Sequence, residues 1–108
     1  MNSNRKAFLI TLKPGMAQEY IKRHNPVWPE LELLLTKSGI SNYSIFLDEE
    51  SGQLFGYYET TDEEKLKKLG ESEVMRAWWK SMRELLVCDP LDDLKAKEIM
   101  LKEVFHLD

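Results

Sequence analysis

Two apolar stretches, ISNYSIFLD from Ile40 to Asp48 and QLFGYYETT from Gln53 to Thr61, stand on either side of EESG. Each has the length and the β-branched and aromatic character of a strand, and Gly52 supplies the residue that a tight turn needs. The segment therefore reads as a β-hairpin, and a hairpin commits the chain to antiparallel pairing. The flanking segments decide what joins it. Upstream, Lys6 to Lys13 carries Phe8, Leu9, Ile10 and Leu12 and is stopped by Pro14-Gly15, the pattern of a buried strand. Met16 to Ser38 has helical spacing through Tyr20, Ile21, His24, Leu31, Leu34 and Leu35, is interrupted by prolines, and closes at Gly39 as a glycine after a helix end would.

Downstream, Thr61 to Glu64 resembles a helix N-cap with acids in the first turn, opening a charged helix that stops at Gly70. Ser72 caps a second, amphipathic piece, EVMRAWWKSMRELLV. CDPLDDLKAK reads as a loop, and Glu98 to Leu107 alternates as a last strand. The order β-α-β-β-α-β predicts a single α+β domain over residues 1–108, a ferredoxin-like split βαβ unit with helices on one face of an antiparallel sheet. No further element is left to cover the other face. A second copy packed sheet to sheet would cover it, so a homodimer with a barrel-like α/β assembly is expected.

A chain of 108 residues with 43% hydrophobic and 31% charged residues fits one soluble globular core. The net charge of −4 is spread without a Lys/Arg block that could track phosphates, which argues against nucleic acid as a partner. Cys88 is the lone cysteine, with no thiol or His cluster near it at metal-ligand spacing, and this points to a reducing compartment. The opening MNSNRKAFLITLK lacks the apolar core of a leader, and no segment approaches the ~18 apolar residues of a membrane span. The expected address is the cytoplasm, away from membranes. Neither a Gly-rich phosphate loop nor a G-x-S-x-G elbow occurs, so no cofactor is announced.

The chemistry concentrates in YIKRHNPVWPE, Tyr20 to Glu30. Tyr20 and His24 are four apart and share a helix face. Asn25 precedes Pro26 and is pushed out of the α region, while Pro26 and Pro29 lack the N–H groups that the Lys22 and Asn25 carbonyls would have accepted. His24 is thereby placed at a helix C-terminus, where the macrodipole favours the imidazolium and moves its titration upward, as suits a general acid. A simpler reading makes His24 only a cap on loose carbonyls. Its company of Tyr20, Trp28, Tyr43, Trp78 and Trp79 supplies rings with polar handles, the equipment with which proteins hold sugars. An aromatic-rich core has the same signature, and Trp78 and Trp79, about 100° apart on a helix, cannot point the same way. Met75, Met82 and Leu85 are spaced to pack beside Trp78.

Tyr43 shares a strand face with Ile45 and Leu47, toward the core. In the last strand Glu103 would be the one charge on the face of Ile99, Leu101, Phe105 and Leu107, so a strand end or a bulge that turns it outward is expected ahead of a buried site carboxylate. His106 falls on the opposite face as a solvated side chain. Tyr58 and His106 have no role that the pattern assigns.

The segments RKAFLITLKPGMAQEYIKRHNPVWPELELLL, NYSIFLD, LFGYYE, RAWWKSM and KEVFHL resemble the L-rhamnose mutarotase family in register from Arg5 to Leu107. The Y-x-x-x-H-N-P-x-W-P-E block and the adjacent tryptophans are the specific pieces. The resemblance implies a small cytoplasmic α+β protein, dimeric through its sheets, that interconverts the α and β anomers of L-rhamnose, or of a related deoxy sugar, without a cofactor. It also implies that His24 is the proton-donating residue and that Tyr20, Tyr43, Trp78 and Trp79 contact the sugar. Two alternatives stand beside it: a dimeric ferredoxin-like monooxygenase or haem-handling enzyme, and a non-catalytic sugar-binding module.

Overall fold

A computed structural model describes residues 4–92 and 94–108. Residues 1–3, part of the stretch read for a leader, and Asp93, in the loop before the last strand, lie outside the described residues. The elements run β1 (Asn4–Thr11), α1 (Ala17–Arg23), α2 (Pro29–Lys37), β2 (Ile40–Asp48), β3 (Gln53–Thr60), α3 (Glu63–Lys68), α4 (Glu73–Arg83) and β4 (Ile99–Leu101). A 3₁₀ turn, Leu69–Glu71, separates α3 from α4. The four strands form one antiparallel sheet in the order β2-β3-β1-β4, the split βαβ arrangement expected from the element order. The hairpin turns at Gly52, whose φ is +76° and whose carbonyl accepts from the Leu12 N–H at 2.8 Å.

Local chemistry accounts for the helix starts. The Asp62 carboxylate accepts from the Lys65 N–H at 3.1 Å, and the Ser72 hydroxyl accepts from the Met75 N–H at 3.5 Å. Pro29 occupies the first turn of α2, where a missing N–H costs nothing. The expected single interrupted helix is thus two short helices, and Pro29 starts the second.

One face of the sheet carries the core. Phe8, Ile10, Leu12 and Leu54 are buried with Tyr20, Leu31, Met75, Trp78, Met82, Leu85 and Leu86. Gly56 stands opposite Phe8 in the register, and a Cβ there would lie 2.0 Å from the ring, so the Phe8 ring occupies the space that a side chain would need. Among the described residues, none covers the other face. Phe46, Phe55, Leu9 and Ile99 follow one another straight across the four strands, and Ser44, Tyr57, Ala7 and Leu101 form the next row. Phe46 is 66% exposed and Ile99 48%.

The last strand is shorter than its alternation predicts. Only Ile99 to Leu101 pairs, with Leu9 to Ala7, and the residues after it have no regular structure. Alternation indicates which way a side chain would point but not whether a neighbour exists to pair with. Beyond Leu101 the chain meets the start of β1 through side chains instead, with the Arg5 guanidinium donating to both Glu103 carboxylate oxygens at 2.6 and 3.3 Å. Glu103 is therefore a half-exposed ion-pair partner at a strand end, and Arg5 holds its carboxyl below the usual range. His106 is paired with Asp108 at 2.9 Å.

Candidate functional site

Between the sheet and the helices lies a cavity of about 1090 Å³, lined from opposite sides by Tyr20 and His24 of the α1 end, Tyr43 and Tyr58 of the hairpin, and Trp78 and Trp79 of α4. The break after α1 builds its most polar corner. His24 N–H bonds to the Ile21 carbonyl at 3.1 Å, three residues back rather than four, which tightens the last turn and leaves the Tyr20 carbonyl without a backbone donor. The His24 ring takes that place, with Nδ1 2.8 Å from the Tyr20 oxygen. The Asn25 N–H reaches the Lys22 carbonyl at 3.3 Å and the Asn25 amide donates to the Ile21 carbonyl at 2.8 Å. The helix end is thus closed by side chains of the two residues that follow it, before the cis Asn25–Pro26 peptide.

A carbonyl oxygen can only accept, so Nδ1 carries the hydrogen and Nε2 is the ring atom left for a ligand. The imidazole lies along the Tyr20 ring with centroids 4.2 Å apart and meets the Trp78 ring edge-on at 5.1 Å. Trp28 meets Trp78 edge-on from another side, also at 5.1 Å. Burial lowers the His24 pKa from its ordinary value, and the bond to the Tyr20 carbonyl only partly opposes it. This corrects the expectation of a helix-end imidazolium. The seven-residue α1 has a small dipole whose Tyr20, Ile21 and Lys22 carbonyls already have partners, and the aromatic packing outweighs it. His24 is neutral near pH 7, a base with a free Nε2.

α1 is tied to α4 by Arg23, which donates to Glu19 at 2.8 Å, to the Ser81 carbonyl at 2.6 Å and to Glu84 at 2.5 Å. This clamp fixes His24 relative to the tryptophans. Trp78 is 7% exposed and packs among Met75, Met82 and Leu85, as its helical spacing predicts. Trp79 points elsewhere: its ring rests 3.6 Å from where a Gly70 side chain would begin, and Lys95 Nζ sits 5.0 Å over it. Both rings nonetheless line the cavity.

Tyr43 reaches the cavity because of a bulge. Ser41 faces Glu59 and Ser44 faces Tyr57, so Asn42 and Tyr43 together oppose Tyr58 alone, with Asn42 at φ +49°. Ile40 points inward opposite Thr60; the extra residue switches the parity, and Tyr43, Ile45 and Leu47 then point inward as expected. Tyr43 stacks on Tyr58 at 5.2 Å and 21°, and the Phe8 ring edge meets Tyr43 at 6.2 Å. Desolvation raises the hydroxyl pKa of Tyr20, Tyr43 and Tyr58, although Tyr43 is still 42% exposed and stands at the rim of the cavity, so all three remain protonated hydrogen-bond donors. Tyr58, Lys95 and Glu98 line the cavity although sequence reasoning gave them no role. Pairing across the hairpin could have found Tyr58 once the bulge was known; the other two sit in a loop without periodicity.

The five expected site residues, His24, Tyr20, Tyr43, Trp78 and Trp79, are therefore brought to one cavity. A family model described as L-rhamnose mutarotase matches residues 5–107. An L-rhamnose mutarotase of Lachnoclostridium phytofermentans is 47% identical over 96% of this chain and 98% of that protein. One of Bacillus subtilis is 45% identical over the same shares. The crystal structure of an L-rhamnose mutarotase from Formosa agariphila superposes with a TM-score of 0.87 at 37% identity, over 98% of this chain and all of that one. Sequence match and fold agree along nearly the whole length, and on that ground the chain belongs to the L-rhamnose mutarotase family.

Proposed function

We propose that this protein is a mutarotase that interconverts the α and β anomers of L-rhamnose, with His24 moving the proton. The observation that supports this best is the single free ring nitrogen of a neutral histidine inside an aromatic cavity of a chain in that family. The alternatives of a haem-handling enzyme and of a non-catalytic sugar module are not favoured by the relatives found.

Mutarotation breaks the bond between the anomeric carbon and the ring oxygen. Nε2 of His24 takes the proton of the anomeric hydroxyl; the electron pair forms the aldehyde carbonyl as the ring bond breaks, and the ring oxygen takes a proton in its place. The proton lost by one oxygen is the proton gained by the other, so the imidazolium returns it and ends neutral. Rotation about the adjacent carbon–carbon bond and the reverse sequence give the other anomer. Positioned proton transfer of this kind contributes on the order of 10²–10⁴-fold. The hydroxyls of Tyr20 and Tyr43 donate to sugar oxygens, and Trp78 and Trp79 present apolar surface to the C–H faces and the methyl group.

The uncovered sheet face, with the row Phe46, Phe55, Leu9 and Ile99 and the exposed Phe105 and Leu107 beyond it, supports a homodimer packed sheet to sheet. The cavity lies on the opposite face, so each copy carries its own site. The test of function is saturation-transfer NMR on L-rhamnose at equilibrium. Exchange between the anomeric signals that rises in proportion to protein concentration is expected, and exchange at the spontaneous rate would refute the proposal.

A further inference from the structure

The aromatic residues account for stacking and for proton transfer, but a hexose also presents ring hydroxyls whose orientation distinguishes one sugar from its epimers. Among the described residues, two carboxylates line the cavity, those of Glu32 and Glu98. Both are exposed residues, and Glu32, on α2, has no ion-pair partner among the described residues. The Glu98 side chain is 29% exposed and is paired with Lys95 Nζ at 3.5 Å, while the same Nζ sits 5.0 Å over the Trp79 ring. Charge and aromatic surface are thus joined in one wall, Trp79 to Lys95 to Glu98. The charge of Glu98 also reaches the Tyr43 and Tyr58 hydroxyls and contributes to holding both of them protonated.

That wall is anchored. Arg83, on the helix that carries the tryptophans, donates to the carbonyls of Asp92 and Lys95, the latter at 3.0 Å. Oδ1 of Asp92 accepts from the N–H of Leu94 at 2.9 Å and of Lys95 at 3.3 Å, and Lys97 N–H bonds to the Val87 carbonyl at 3.1 Å. The loop carries few residues of regular structure yet is pinned at several points to α4 and its continuation, which fixes the carboxylate relative to Trp78 and Trp79.

We propose that Glu98, held by Lys95, is the specificity-determining acceptor of the site, taking hydroxyls of the bound sugar and admitting L-rhamnose over its epimers; this rests on the sugar reading above. A charged acceptor that loses its hydroxyl partner in the wrong epimer is left half-paired, which is how polar sites discriminate where apolar contacts do not. Lys95 is a positioning residue that orients the carboxylate.

The test compares wild type, Glu98→Gln, Lys95→Met and the double variant with L-rhamnose, its C2 epimer 6-deoxy-L-glucose and its C4 epimer 6-deoxy-L-talose. Anomer exchange gives kcat and KM, and tryptophan fluorescence gives Kd independently of turnover. In Glu98→Gln, KM and Kd for L-rhamnose are expected to rise roughly 10-fold to 100-fold, the scale of a lost charged hydrogen bond, with a smaller change in kcat and a narrower gap between the epimers. Lys95→Met should give a smaller rise, and the double variant should be no worse than Glu98→Gln alone. A folded Glu98→Gln with wild-type Kd and the same epimer ratios overturns the proposal. Should wild type bind without exchanging, the mutarotase reading fails while the Kd comparison still decides the role of Glu98.

Discussion

The adjacent tryptophans are expected to respond to truncation in separable ways. Trp78 is 7% exposed and meets His24 and Trp28 edge-on, each at 5.1 Å between ring centroids. Cutting a tryptophan so placed to alanine costs about 3–5 kcal/mol. Domains of ordinary stability have only about 5–15 kcal/mol to lose. At about 4 °C per kcal/mol, Trp78→Ala should lower Tm by roughly 12–20 °C. Trp79 is half-buried, backed by Gly70 on one side and met by Lys95 on the other, so Trp79→Ala removes less packing and should cost about 1–2 kcal/mol. Thermal unfolding followed by circular dichroism gives the first quantity. Tryptophan fluorescence titration with L-rhamnose, taken well below each Tm, gives sugar affinity, which Trp79→Ala should lose while keeping its fold. The reasoning fails if Trp78→Ala melts within about 4 °C of wild type, or if Trp79→Ala binds sugar as wild type does.

Further expectations concern pH, packing and assembly. Because burial lowers the His24 pKa, the folded chain holds this proton less tightly than the unfolded one, and the His24 contribution to stability is complete above about pH 6.5 and declines as pH falls through it. Catalysed exchange, corrected for the spontaneous reaction, should rise with pH to a plateau with its midpoint below about 6.5, and a rate that falls through that region would restore the imidazolium. Gly56→Ala would put a methyl 2.0 Å from the Phe8 ring tip; a cost of about 1–3 kcal/mol is expected in thermal unfolding, partly relieved by adding Phe8→Leu, and an unchanged Tm would contradict it. Phe55→Glu, in the middle of the uncovered apolar row, should give the mass of one chain rather than two in light scattering, and a dimer unchanged by it would place the interface elsewhere.

Local patterns were enough where a structure is determined by local chemistry. Gly52 between two apolar runs specified the hairpin, and four-residue spacing put Tyr20 and His24 together. Pro26 ended α1 where expected, whereas Pro29 proved to be a helix start. What local pattern could not supply was tertiary context. Burial beside Tyr20 and Trp78 decides the charge of His24, and neither ring's packing is visible in the spacing. The bulge at Asn42 brings Tyr43 onto Tyr58, but counting by twos from Ile45 reached the right face without showing why Ile40 also points inward. Alternation carries the last strand on to Leu107, past Leu101 where pairing with β1 ends. Lys95 and Glu98 escaped attention because their position depends on Arg83 and Asp92, contacts made through an irregular loop.

On the proposed mechanism His24, through its free Nε2, moves the proton between the anomeric and ring oxygens of L-rhamnose. Saturation-transfer NMR of His24→Gln and His24→Ala, each verified by its melting curve and by its fluorescence titration with the sugar, tests it most directly. Folded proteins are expected that still bind L-rhamnose and whose anomer exchange falls about 10²–10⁴-fold, close to the spontaneous rate. Exchange at the wild-type rate in either folded variant would contradict it.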